Sequence, residues 1–72
     1  MSYPVLPPQK ILRVLKELGF VVISQKGSHV KLKNYITNKI CILPMHKEVA
    51  RGTLKSALEQ ADVELEEFLN LL

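Results

Sequence analysis

Seventy-two residues are enough for one small domain, and a chain this short buries only about 60% of the surface that its unfolded form exposes. Little room remains for an enclosed cavity, so we expect any chemistry on an open face. No apolar run approaches the ~20 residues that a membrane-spanning helix needs, and the opening stretch MSYPVLPPQK lacks the pattern of a secretory signal. We therefore predict a cytoplasmic protein without a membrane segment.

Charge is distributed unevenly along the chain. Residues 1–55 hold all ten Lys and Arg and two of the seven acids, a net charge of +8, and residues 56–72 hold the other five acids. A basic body releases condensed counterions when it binds a phosphate backbone, which favours a nucleic-acid partner. Solvated surface lysines would give the same composition, so charge alone favours such a partner only slightly.

The cysteine and histidine content bounds the chemistry. Cys41 is the single cysteine, which excludes an internal disulfide framework and a multi-cysteine zinc site. It lies in an apolar run, where a thiol behaves as a small hydrophobic core residue. The two histidines, His29 and His46, come without a paired carboxylate, so we predict no metal site and no cofactor.

The first half of the chain predicts a helix and a three-stranded meander. Apolar residues at helical spacing indicate a helix over 8–18, after a loose leader of residues 1–6, and Gly19 is placed to end it in a left-handed conformation. Runs rich in β-branched residues and alternating runs predict strands, and their short connections make the pairing antiparallel. We expect strands over 20–25, 29–35 and 39–43, with Pro44 stopping the third.

Two helices are predicted to close the single domain of residues 1–72. TLKSALEQA, residues 53–61, has helical apolar spacing and begins at Gly52 or Thr53, with Thr53 a competent N-cap. ELEEFLNLL, residues 64–72, predicts a last short helix, although Glu64 stands where a Ser or Thr would cap it. The order is α-β-β-β-α with a small helix appended. This is an α+β fold whose helices cover one face of a three-stranded antiparallel sheet.

The candidate site follows from the alternation of HVKLKNY. If Val30 and Leu32 lie beneath the helices, His29, Lys31 and Lys33 must project from the opposite face. A neutral imidazole can take a proton from a ribose 2′-hydroxyl, and ammonium groups can stabilise charge on the phosphate that this oxygen attacks. DNA lacks that hydroxyl. Most exposed strand histidines are simply polar surface residues, and residue type and position alone favour this ordinary interpretation over the catalytic one.

The remaining candidates lie beside this row. Gly27 gives the turn backbone freedom, and Ser28 can bond locally or to a ligand. His46 is open to three interpretations, a second catalytic group, an RNA contact or a loop residue, and we place binding or structural roles before catalysis. Lys47 begins a basic group near the second long helix that contacts phosphate or is merely solvated. The predicted catalytic residue is His29, and the predicted RNA-binding residues are Lys26, Gly27, Ser28, Lys31, Lys33, His46 and Lys47.

Four short motifs occur in a specific order: L-G-F at 18–20, G-S-H at 27–29, P-M-H at 44–46 and G-T-L at 52–54. With the sequence around them, over about residues 7–70, they resemble the HicA (YcfA-like) toxins of prokaryotic type II toxin–antitoxin systems. The resemblance implies a double-stranded-RNA-binding-domain-like fold and a metal-independent endoribonuclease that cuts messenger RNA and slows growth. It also implies a catalytic role for His29 and a HicB-type antitoxin that covers the active site. We expect the free toxin to be monomeric.

Two other functions fit the same residues. One is a non-catalytic RNA-binding module on this fold, and the other is a protein-interaction domain whose basic face meets an acidic partner. The histidine of G-S-H favours the nuclease, because simple binding needs lysines but no imidazole at that position.

Overall fold

The computed structural model describes residues 2–72 and confirms the predicted order of elements. The three strands form one antiparallel sheet in the order β1-β2-β3, and the whole is an α+β fold like that of double-stranded-RNA-binding domains. The elements are α1 (Pro8–Glu17), β1 (Phe20–Lys26), β2 (His29–Asn34), β3 (Ile40–Pro44), α2 (Arg51–Ala61) and α3 (Leu65–Leu71).

The core lies between the helices and one face of the sheet. From β2 and β3, alternate residues enter it and are nearly inaccessible to water, and the helices contribute apolar residues at their 3.6-residue spacing. The side chains that meet there include Val30, Leu32, Cys41 and Leu43 from the sheet and Ile11, Leu15, Leu54, Leu58 and Phe68 from the helices.

The strand ends differ from the predictions by one residue. β2 ends at Asn34, so Tyr35 lies in the following turn. Pro44 is the last residue of β3 and pairs with His29, although it was expected to lie just beyond the strand. Pro44 has no N–H, but the pairing of β2 with β3 does not end there. Met45 N donates to Ser28 O at 2.6 Å and extends the pairing by one hydrogen bond.

The prediction that Thr53 caps α2 is wrong. The helix begins at Arg51, and its N-cap is Ala50 in an extended conformation, whose methyl side chain makes no capping hydrogen bond. Leu54 N already donates to Ala50 O at 2.9 Å, so Thr53 lies inside the first turn. The segment before α2 pairs with the N-terminal segment, because Val49 N donates a hydrogen bond to Leu6 O at 2.8 Å. The predicted loose leader is therefore fixed to the body at Leu6.

The two edges of the sheet differ in structure: β3 is bonded by a side chain of α2, and β1 contains a bulge. On the outer side of β3, Ile42 N donates to the side-chain oxygen of Gln60 on α2 at 2.9 Å. On β1 the pairing with β2 shifts between Val22 and Ser24, which leaves Ile23 as the additional residue of a β-bulge. Val22 and Ile23 are 42% and 39% exposed at this bulged edge.

Asn34 is the buried polar residue that joins the end of β2 to its surroundings, with 7% of its surface exposed. Its Nδ2 donates to Leu18 O at 3.2 Å, and its Oδ1 accepts from Ile36 N at 2.9 Å and from Thr37 N at 3.3 Å. Gly19 lies against it with φ of +101°, and a Cβ there would lie 3.2 Å from Asn34 Nδ2. The helix end, the turn after β2 and the strand thus meet on one amide.

Replacement of this amide should destabilise the fold. Asn34→Ala leaves a carbonyl and two N–H groups without their partner in a partly buried site, and we expect the free energy of unfolding to fall by about 2 kcal/mol or more. Urea denaturation measures it. Asn70→Ala, at an exposed position of α3, is the matched control and should change stability by less than about 0.5 kcal/mol. Equal effects of the two substitutions would show that the bonds of Asn34 contribute little.

Burial raises the pKa of the Cys41 thiol from 9.0 to about 11. The thiol of the unfolded chain therefore ionises at lower pH than that of the folded chain. The contribution of this group to stability is fully present below pH 9 and is lost as pH rises from 9 towards about 11. We expect wild type to lose up to about 3 kcal/mol more than Cys41→Ala over this range. Denaturant titrations at several pH values test this, and parallel curves for the two proteins would contradict it.

Candidate active site

The open face of the sheet is defined by the strand register. Residues directly opposite each other in an antiparallel pair point to the same side, so each outward residue of β2 has one neighbour on either side. His29 lies between Lys26 and Pro44, Lys31 between Ser24 and Ile42, and Lys33 between Val21 and Ile40.

The predicted orientation of the β2 side chains, with Val30 and Leu32 towards the core, is confirmed. Val30 and Leu32 are 3% and 0% exposed, His29 and Lys31 are exposed, and Lys33 is half-buried. None of the three strands contains an acidic residue, so no carboxylate on the sheet neutralises the row of ammonium groups. The imidazole therefore lies on a positively charged surface that is open to water.

The turn before β2 fixes the position of His29, which is the first residue of that strand. Gly27 has φ of +60°, the left-handed region that glycine adopts without steric cost. Its carbonyl oxygen accepts a hydrogen bond from Gln25 Nε2 at 3.1 Å. The next carbonyl, of Ser28, accepts from Met45 N and ties the turn to the residue after β3. The G-S-H turn is thus held from both neighbouring strands.

His46 lies beside His29, a proximity that the sequence left open. The ring centroids are 6.2 Å apart and the ring planes are nearly perpendicular, at 83°. The hydrogen bond from Met45 N to Ser28 O explains the approach, because it holds the start of the loop after β3 against the G-S-H turn. Two imidazoles and Lys26, the residue paired with His29, consequently share one end of the open face.

Other basic residues extend this surface in two directions. Lys47 follows His46 in the loop, and Arg51 opens α2; both are exposed. At the far end of β2, the Lys33 ammonium lies 4.8 Å from the centroid of the Tyr35 ring. Tyr35 therefore continues the row of His29, Lys31 and Lys33, although it lies in the turn and not in the strand.

The family model for the HicA toxin of bacterial toxin–antitoxin systems matches residues 8–63. The chain belongs to the HicA toxin family. The matched part begins at α1 and includes both histidines, the G-S-H turn and all the predicted RNA-binding lysines. A comparison with curated proteins gives no match. Membership of this family makes the chain one component of a toxin–antitoxin pair.

The sequence interpretation missed apolar residues on the open face of this HicA protein. Val21, Ile40 and Ile42 are 47%, 38% and 38% exposed, and they lie on either side of the lysine row. The alternation of ICIL, in which Cys41 and Leu43 are buried, carries the signal that predicts the outward position of both isoleucines. The open face is basic along its central strand and partly apolar along its flanks.

Two kinds of feature are absent from the part of the chain that the structure describes. Within residues 2–72, no three His, Cys, Asp or Glu side chains lie close enough together to hold a metal ion. No helix in that range is long and apolar enough to cross a membrane.

The conformation of Gly27 should make it sensitive to substitution. We expect Gly27→Ala to reduce the free energy of unfolding by about 1 kcal/mol, because its left-handed φ is unfavourable for a residue with a Cβ. Gly52 in α2 is the matched control: a Cβ there meets nothing within 4 Å, and alanine in a helix stabilises by up to about 1 kcal/mol. Chemical denaturation of both variants checks the opposite signs. A stabilised Gly27→Ala variant would contradict the assigned turn.

Proposed function

We propose that this HicA toxin is an endoribonuclease that cleaves messenger RNA with His29 as the general base, and that this cleavage inhibits translation and growth. The observation that supports the proposal most directly is the pair of imidazoles, 6.2 Å apart on an open face beside lysines. A base and an acid within reach of one phosphodiester group are what RNA cleavage without a metal ion requires.

The reaction is a transesterification within the RNA. Neutral His29 accepts the proton of the 2′-hydroxyl, and the 2′-oxygen forms a bond to the adjacent phosphorus. The bond from phosphorus to the 5′-oxygen of the next nucleotide breaks, and protonated His46 donates a proton to that leaving oxygen. The products are a 2′,3′-cyclic phosphate and a free 5′-hydroxyl, and proton exchange with water restores the two rings.

The lysines bind the substrate and stabilise the transition state. Lys26 lies directly opposite His29, and Lys31 is the next outward residue of β2, so their ammonium groups flank the reacting phosphate. Positive charge fixed beside oxygens that become more negative lowers the barrier, because it need not reorganise during the reaction. Lys33 and Lys47 extend the same surface towards neighbouring phosphates. Gly27 and Ser28 hold the turn at which the RNA backbone approaches.

The proposed acid role of His46 goes beyond a binding contact. A phosphate contact alone would be served by any of the neighbouring lysines, whereas a proton donor for the leaving oxygen must lie near the base. His46 meets that condition, since the bond between Met45 and Ser28 holds its loop beside His29. RNA binding by His46 remains compatible with this role.

The antitoxin of this protein is proposed to be of the HicB type and to cover the open face. Exposed Val21, Ile40 and Ile42 support this, because an apolar flank beside a basic row suits a protein partner with acidic and apolar residues. Such a partner would exclude RNA from His29. The free toxin is proposed to be a monomer.

The nuclease proposal predicts a specific division of labour between the histidines. In EDTA, wild type should cleave single-stranded RNA, and His29→Ala should lower the rate by about 10²-fold or more, the usual contribution of general acid–base catalysis. His46→Ala should be slow on ordinary RNA. It should recover on RNA with a sulfur in place of the 5′-bridging oxygen at the cleaved position, because a thiolate leaves without a proton; His29→Ala should not recover.

The controls separate catalysis from binding and folding. Lys16→Ala, on the exposed side of α1, should cleave at the wild-type rate, and circular dichroism should show that all variants fold. RNA binding without cleavage by wild type would favour a binding module. Full activity of His29→Ala, or loss of wild-type activity in EDTA, would overturn the mechanism.

A further inference from the structure

The turn between β2 and β3 displays an aromatic ring for which the cleavage mechanism has no use. Tyr35 is 64% exposed, and its neighbour Ile36 is 92% exposed. Turns of this kind are usually built from small polar residues, whereas most of the surface of Tyr35 is open to water here. The exposed ring is therefore available for contact with a ligand.

The backbone that carries Tyr35 is held firmly. The side chain of Asn34 accepts hydrogen bonds from Ile36 N and Thr37 N. Across the base of the turn, Asn38 N donates to Asn34 O at 2.7 Å and Asn34 N donates to Lys39 O at 2.9 Å. A ring on such a turn loses little conformational freedom when a ligand covers it, so more of the contact energy appears as affinity.

The ring is also placed relative to the charged row. The ammonium of Lys33 lies over it at 4.8 Å from the ring centroid, and Lys33 projects from the same face as His29. β2 extends about 17 Å from His29 to Asn34, and Tyr35 is the next residue. An aromatic ring thus lies at one end of a basic row and the two imidazoles at the other.

We propose that Tyr35, with Lys33, forms a subsite for a nucleobase of single-stranded RNA, several nucleotides away from the cleaved bond. The inference rests on the proposed nuclease function and extends it to the form of the substrate. Aromatic rings beside a basic track are how proteins hold single strands: the lysine contacts a phosphate and an unpaired base stacks on the ring. A duplex cannot use the subsite, because its bases are already stacked and paired.

Two consequences follow for substrate choice. Every base has a stacking face, so the subsite adds affinity with little sequence preference. The substrate must be unpaired both at the cleaved bond and for the several nucleotides that reach Tyr35. Cleavage is therefore directed to open stretches of a messenger and not to isolated bulges in a folded one.

Binding of a labelled single-stranded RNA of about twelve nucleotides to the His29→Ala variant, measured by fluorescence anisotropy at fixed salt, tests the subsite. In that background, Tyr35→Ala should weaken binding about tenfold or more, the effect of losing one stacked base. Tyr35→Phe should retain the affinity, and Tyr35→Leu should lose it, because a ring and not merely an apolar group is required. Ile36→Ala, in the same turn, should bind like the parent.

Salt dependence separates the stacking contact from the ionic one. The loss caused by Tyr35→Ala should be the same at all salt concentrations. Lys33→Ala should instead lower the slope of log affinity against log salt by about 0.7, the value for one phosphate contact on a single strand.

Four outcomes would overturn the subsite. Unchanged RNA affinity of Tyr35→Ala would do so while leaving the nuclease proposal intact, provided that wild type cleaves and His29→Ala does not. Tighter binding of duplex than of single-stranded RNA would also refute it. If Tyr35→Ala weakens only the complex with the antitoxin, the ring is a protein contact. Failure of the wild-type protein to bind or cleave any RNA would refute the subsite and the nuclease together.

Discussion

The alternation of β2 is the constraint on which both the fold and the candidate site depend. Val30 and Leu32 are buried under the helices, and the full burial of each is worth about 1.5–3 kcal/mol. A shift of the strand by one residue would expose both and turn His29, Lys31 and Lys33 into an apolar core, where unpaired charge is very costly. The packing that folds the sheet therefore also holds the imidazole in water.

The candidate site is divided between a rigid strand and a tethered loop. His29 begins the central strand, which has a partner on each side, whereas His46 belongs to the connection between β3 and α2. A backbone hydrogen bond from Met45 N to Ser28 O, next to the pairing of His29 with Pro44, joins the two parts. Reactive groups in proteins are often placed in this way, with one on the scaffold and another on a loop that the scaffold positions.

Local patterns in the sequence predict the element order and the outward side of β2, because periods of 3.6 and 2 report directly which residues face the core. Residues that depend on distant contacts were not predictable in this way. Thr53 failed as a cap because the chain is fixed ahead of α2 by the pairing of Val49 with Leu6. The approach of His46 to His29 depends on the path of a loop, for which no periodicity exists.

The structure of the two sheet edges affects whether copies of the free protein can pair with each other. The unpaired N–H and C=O groups of an open sheet edge can bond to a strand of another molecule, and repeated pairing of this kind produces polymers. The amide of Ile42 is occupied by Gln60, and the bulge at Ile23 interrupts the regular row of donors and acceptors on β1. Each edge thus departs from a regular row of free donors and acceptors at one point, which disfavours pairing between the sheets of two copies of the chain.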